Sequence, residues 1–329
     1  MKRKSLLFVW SYVFILSTIF ISCKDTDNSV FGDDFDFPAL TDANTIRFTV
    51  NVTGDWRQLN IVADGGRMVI DWGNGRMQKV EDPSSMAGVT YRYGNKGSYN
   101  VRIWAEELQL IDISGLLISI SDLHLGNMPG MKSLVLNSIT DTRELNLNTF
   151  CPNVESINIG SFADLEHLEV EHCSRLRNIQ IYSNPKLTSM ELGNHPEVEE
   201  LYCSYNGFSS FSLKGLPKLR SVDLGYNSAL ASLELDENNG INALLISGCA
   251  FQSVDDVLEC CPSLNELSCS GNRLTELDLT KHLSIRELHC DHNRLTRLLV
   301  PEGQYFGHLY CHSNQLGEAA LKTLFVSLG

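Results

Sequence analysis

Along the last two-thirds of the chain, apolar residues come in pairs with one residue between them, and the pairs recur about every eleven positions. They run from Ile111/Ile113 and Leu123/Leu125 through Leu201/Cys203, Val222/Leu224 and Leu244/Ile246 to Leu267/Cys269, Leu288/Cys290 and Leu309/Cys311. Apolar side chains at i and i+2 share one face of an extended segment, so each pair predicts a short strand with one buried side. Every second pair is followed by Asn, at Asn184, Asn206, Asn227, Asn272, Asn293 and Asn314. One coil therefore takes about 21 or 22 residues and holds two extended segments. A single coil cannot bury its apolar side alone, so the coils must stack. Between Ile246 and Leu267 the second strand is missing. Ser253 as N-cap, Asp255 and Asp256 in a first turn, Val254, Val257, Leu258 and Cys261 at helical spacing, and Pro262 as a stop predict a short helix there. A second helical spacing, over residues 316–325, predicts a capping helix at the C-terminal end of the stack.

The unit Leu264-x-x-Leu267-x-Cys269-x-x-Asn272-x-Leu274-x-x-Leu277-x-Leu279 resembles the leucine-rich repeat family, whose period of roughly 20 to 29 residues brackets the one found here. The resemblance covers residues 108–329. It implies a mainly β solenoid in which the Asn amides bond backbone groups of adjacent coils.

Residues 44–107 follow another rule. Ile46-x-Phe48-x-Val50-x-Val52 and Val101-x-Ile103 alternate as strands, with turn signals at Asp64-Gly65-Gly66 and Asn95-Lys96-Gly97. The run Val69-Ile70-Asp71-Trp72-Gly73-Asn74-Gly75, then Tyr91-x-Tyr93, then Gly97-x-Tyr99-x-Val101, is similar to the PKD-type β-sandwich, with Asn74 in place of the usual Asp. Such modules serve as spacers and docking domains, and Asp71 is expected to hold the turn. Ahead of it, Lys2, Arg3 and Lys4, an apolar run from Leu6 to Ile21, and Ser22-Cys23 form a secretory signal. Phe20-Ile21-Ser22-Cys23 resembles a bacterial lipobox, which implies a signal peptide over 1–22, lipidation of Cys23 and a lipid anchor in the outer membrane. The acidic residues of 23–43 resemble the surface-export tract of Bacteroidetes lipoproteins. They read equally as a flexible, solvated tether.

Charge narrows the partners. Forty acidic against twenty-six basic residues give a net charge of −14, which repels a nucleic-acid backbone. Ten cysteines in an exported chain suggest disulfides. However, Cys203, Cys269, Cys290 and Cys311 occupy inward positions that Leu224 and Ile246 fill elsewhere, so they read as small buried hydrophobes, with pairing between neighbouring coils left open. His289, Cys290, His292, His308, Cys311 and His312 crowd the last coils, but alternation sends Cys290 and Cys311 inward and His289 and His312 outward. No tetrahedral metal site is expected from them. No His-Glu-x-x-His, Gly-x-Ser-x-Gly or phosphate-binding Gly-rich motif occurs, so neither catalysis nor a cofactor is expected.

What remains is the outward side of the Asn-type strands. Gln180, Tyr202, Asp223, Leu245, Ser268, His289 and Tyr310 should form one column. Tyr182, Ser204, Gly225, Ser247, Ser270, Asp291 and His312 should form the next, with Tyr205 and Tyr226 flanking them. Tyr182, Tyr202, Tyr205 and Tyr226 are expected to gather on one patch, and His289, Asp291, Tyr310 and His312 extend the same face. The expected function is a monomeric, lipid-anchored recognition protein at the cell exterior that binds a protein or glycan. The alternative is a structural or accessory subunit of an outer-membrane assembly.

Overall fold

The computed structural model describes residues 45–329 apart from 55–56, 66, 81–87, 106, 117 and 238. The expected signal peptide, Cys23 and the acidic tether lie outside the described residues.

Eight strands open the fold: β1 (Thr45–Val52), β2 (Arg57–Asp64), β3 (Met68–Asp71), β4 (Met77–Val80), β5 (Val89–Tyr93), β6 (Gly97–Ala105), β7 (Leu110–Leu116) and β8 (Ser119–His124). Five of them form one sheet in the order β4-β3-β6-β1-β8. In β1 the alternation sends Ile46, Phe48, Val50 and Val52 inward while Arg47 is exposed. The loop after β3 is a turn held by Asp71, as its sequence suggests. Asp71 Oδ1 accepts the Gly73 N–H at 2.9 Å, and its Oδ2 pairs with Arg102 at 2.5 Å. Gly73 stands there at φ +75°, and a Cβ would meet the backbone of Asn100. Trp72 turns into the core and stacks on Tyr91.

The other strands of this region belong to a second sheet. β7 pairs antiparallel with β2, which pairs with β5, and on its other edge β7 pairs parallel with β9 (Ser133–Asn137). One twelve-stranded sheet thus runs from the N-terminal strands into the solenoid. After β9 come β10 (Glu144–Asn146), α1 (Leu147–Phe150), β11 (Ser156–Gly160), β12 (His167–Glu169), β13 (Asn178–Tyr182), β14 (Glu200–Tyr202), β15 (Ser210–Ser212), β16 (Ser221–Asp223), β17 (Ser232–Glu234) and β18 (Ala243–Leu245). The chain continues through α2 (Asp255–Cys260), β19 (Glu266–Ser268), β20 (Glu276–Asp278), β21 (Glu287–His289), β22 (Arg297–Leu299), β23 (His308–Tyr310) and α3 (Glu318–Leu328). The Asn-type strands β9, β11, β13, β14, β16, β18, β19, β21 and β23 are all in parallel register. Among the described residues the opposite set pairs only as β10-β12, β15-β17 and β20-β22. Met190 and Leu192 form no strand, although Leu192 is still buried.

Both predicted helices are present. In α2 the cap position falls on Val254, one residue later than expected. Ser253 still accepts the Asp255 N–H at 3.1 Å and so satisfies one free donor of the first turn. α3 packs against β22 and buries Leu324. One apolar core extends from Ile46 to Leu324, so the N-terminal strands and the coils bury each other's ends.

The Asn residues after the strands tie the coils together. Asn206 donates from Nδ2 to the carbonyls of Ile181 and Cys203, at 2.8 and 3.0 Å, and its Oδ1 accepts the Asn184 N–H at 3.0 Å. Asn227, Asn272, Asn293 and Asn314 repeat the donor pattern. At Cys249 a thiol stands in the same place and reaches the Leu224 carbonyl at 3.4 Å.

Candidate binding face

Strand register decides which side chains stand together. The pairings align Gln180, Tyr202, Asp223, Leu245, Ser268, His289 and Tyr310 in one column across the sheet. Just beyond the strands, backbone bonds from Tyr205 N to Gly225 O, Tyr226 N to Ser247 O, Gly271 N to Asp291 O and His292 N to His312 O hold a second column in line. A third column follows, in which Ser183, Tyr205, Tyr226, His292 and Ser313 take φ between 53° and 59°. At the same position Gly248 and Gly271 take φ 68° and 66°. This left-handed conformation costs a non-glycine residue on the order of 1 kcal/mol or more, and the Asn anchor that follows holds it in place. It also aims each side chain of the column the same way.

The expected tyrosine patch divides. Tyr205 and Tyr226 stack face to face, with centroids 4.5 Å apart and an 8° angle, and are 47% and 54% exposed. The inner face of Tyr226 lies over Gly248, where a Cβ would come within 2.7 Å of its ring. Tyr202 instead donates its hydroxyl to Glu200 at 2.8 Å, and burial together with that carboxylate pushes its pKa up to about 12. Tyr182 leans the other way, over Gly160, and donates to Asn137 at 2.8 Å. Asp223, in the first column, is buried and accepts the Gly225 N–H at 2.9 Å. Burial raises its pKa against the pull of that bond.

A second group forms at the far end of the sheet. His289 stacks on Tyr310 at 4.7 Å, and His308 approaches Glu287 at 3.7 Å. Asp291 Oδ2 meets His292 Nδ1 at 2.7 Å and lies 4.0 Å from His312 Nε2. Sequence alternation kept the outward histidines apart from Cys290 and Cys311. It did not foresee that the left-handed turn at His292 swings that ring back towards Asp291. Beneath the face, burial pushes the Cys269 thiol up to about 12, and raises Cys203 and Cys290 further. All the described cysteines are free.

With this geometry in view, comparison with solved structures identifies the architecture. The functional domain of InlJ from Listeria monocytogenes, described as including a cysteine ladder, aligns with 60% of this chain at a TM-score of 0.50 and 23% identity. The leucine-rich repeat domain of APL1B aligns with 56% of this chain and 63% of its own, at a TM-score of 0.45 and 18% identity. The alignment spans only 42% of the InlJ chain. No protein-family model matches the chain, and no curated protein matches it in sequence. The fold is a leucine-rich repeat solenoid built of coils of about 22 residues, and mainly β.

Proposed function

We propose that this chain is a recognition protein that binds a protein ligand through the outward face of its parallel sheet. The observation that carries the reading is the exposed, stacked Tyr205–Tyr226 pair, held at two strained turn positions in successive coils. Two flat amphipathic rings in a fixed pose lose little side-chain entropy on binding, which is what an interface anchor requires. A glycan could use the same rings by stacking, and that is the narrower alternative for the ligand class. Leu6–Ile21 and Cys23 support a tether by acyl chains to the outer membrane, facing outward. On that reading Cys23→Ala releases the protein from membranes, and retention after a high-salt wash would count against the anchor.

Chemical cross-linking on intact cells, followed by quantitative recovery of the partner, tests the face. Tyr205→Ala/Tyr226→Ala should lose the partner while the protein stays folded. Changes at Glu234 and Asp278, on the opposite strand set, should leave it bound. The opposite pattern places the working surface elsewhere. A partner recovered at fixed stoichiometry from detergent extracts, insensitive to Tyr205 and Tyr226, would favour a permanent subunit of an assembly.

A further inference from the structure

Asp291, His292 and His312 present ligand-type atoms that all lie within 4.8 Å of one another. They come from two adjacent coils, and their backbones are fixed before any ion arrives. Gly271 N–H donates to the Asp291 carbonyl at 3.0 Å, His292 N–H donates to the His312 carbonyl at 3.1 Å, and Asn314 Nδ2 reaches the same carbonyl at 3.2 Å. The Ser270 hydroxyl donates to Asp291 Oδ1 at 2.7 Å, so Oδ2 is the oxygen left to face the two rings. This is the outer-shell support that metal-binding carboxylates characteristically have.

The arrangement exceeds what an ion pair requires. His292 alone satisfies Asp291 Oδ2, at 2.7 Å. His312 Nε2, at 4.0 Å from the same oxygen, is too distant for a hydrogen bond, yet its ring sits edge-on to His292 with centroids 5.1 Å apart. In a tetrahedral zinc site with bonds of about 2.0 to 2.1 Å, donor atoms stand roughly 3.4 Å apart. Both rings are about 60% exposed, which leaves their side chains free to rotate about χ1 and χ2 towards that spacing. Two imidazole nitrogens and a carboxylate oxygen suit zinc and its first-row neighbours better than calcium or magnesium.

We propose that Asp291, His292 and His312 bind a divalent cation of the zinc class, with a solvent-side position left open for water. Each ligand atom must offer a lone pair to the ion, so protons compete with the metal and affinity rises with pH. The proposal is independent of the partner bound by Tyr205 and Tyr226.

Calorimetric titration of the untagged, reduced full chain with zinc chloride tests it. One zinc per chain is expected, with weaker binding on acidification. His292→Ala, His312→Ala and the near-isosteric Asp291→Asn should each weaken binding roughly tenfold or more, whereas His308→Ala should not. Melting temperatures in EDTA should match the parent, which excludes misfolding as the cause. Cobalt should give the weak visible bands of a nitrogen–oxygen site without thiolate charge transfer. No saturable binding, binding indifferent to His292 and His312, or a cobalt–thiolate band would each overturn the proposal.

Discussion

Single residues set the strength of each coil junction. Asn206 serves two coils with one amide, and Ala in its place leaves the Ile181 carbonyl and the Asn184 N–H buried without a partner. Each such orphan costs about 1 to 3 kcal/mol, so Asn206→Ala should destabilise the protein by about 3 kcal/mol in chemical denaturation. Cys249 is the natural counter-experiment. Its thiol makes only weak sulfur contacts, to the Leu224 carbonyl at 3.4 Å and the Ser247 carbonyl at 3.7 Å, where an amide would donate twice and accept once, so Cys249→Asn should raise stability by about 1 kcal/mol. No gain there would mean that this turn cannot seat an amide. The Asn positions were legible because they recur at a fixed offset from the strands. Tyr182 leaning over Gly160 was legible in principle, since a residue without a side chain stands beside it in register. The buried state of Asp223 was not, because alternation assigns a side but not the cover that neighbouring side chains provide.

At the scale of elements, the turns that lead into the strands carry buried histidines. His195 and His282 are buried, and burial depresses both pKa values. For His195 the Leu192 and Cys173 carbonyls oppose the shift, and for His282 the charge of Asp278 does so. A depressed folded-state value means that the unfolded chain takes up the proton first. The stabilising contribution is therefore present above the ordinary His pKa near 6.5 and is lost as pH falls towards the folded value. Asp112, Asp223 and Glu266 are raised by burial and act in the opposite direction, so the histidine part must be isolated by difference. His195→Leu, matching Leu216 at the equivalent turn, should melt progressively above the parent as pH drops from about 7.5 to 5.5. A constant difference across that range would refute the assignment. Element type was read well wherever period and spacing agreed, as in α2, α3 and the Asn-type strands. The opposite strand set was over-read. Met190 and Leu192 bury side chains at the right spacing, but inward-facing pairs need no ladder hydrogen bonds to fill a core, and here no strand forms.

For the whole molecule, the twelve-stranded sheet joins the N-terminal strands and the solenoid in one continuous ladder of hydrogen bonds. A charge at Leu267, inside the stack, should cost several kcal/mol and unfold neighbouring coils. Gln180→Glu, at an exposed position of the same outward column, should change stability by less than about 0.5 kcal/mol. Equal losses from the two, measured by urea denaturation, would mean that inward and outward are misassigned. The junction at β7 was not visible in the sequence. Its Ile111/Ile113 pair looks like any other coil, and only the antiparallel partner β2, some fifty residues earlier in the chain, reveals its second role.

Because every coil advances the same face by one strand spacing, the sheet is also a ruler. Tyr226 and His292 stand three steps apart in the left-handed column, through Gly248 and Gly271. At about 4.8 Å per step, that separation is about 14 Å. Duplicating one 21-residue coil around Leu267 would leave both ends of the stack intact and lengthen the gap by a single step. A partner that grips both groups at once should then lose affinity, although neither group has changed, whereas one that grips the tyrosines alone should not register the insertion.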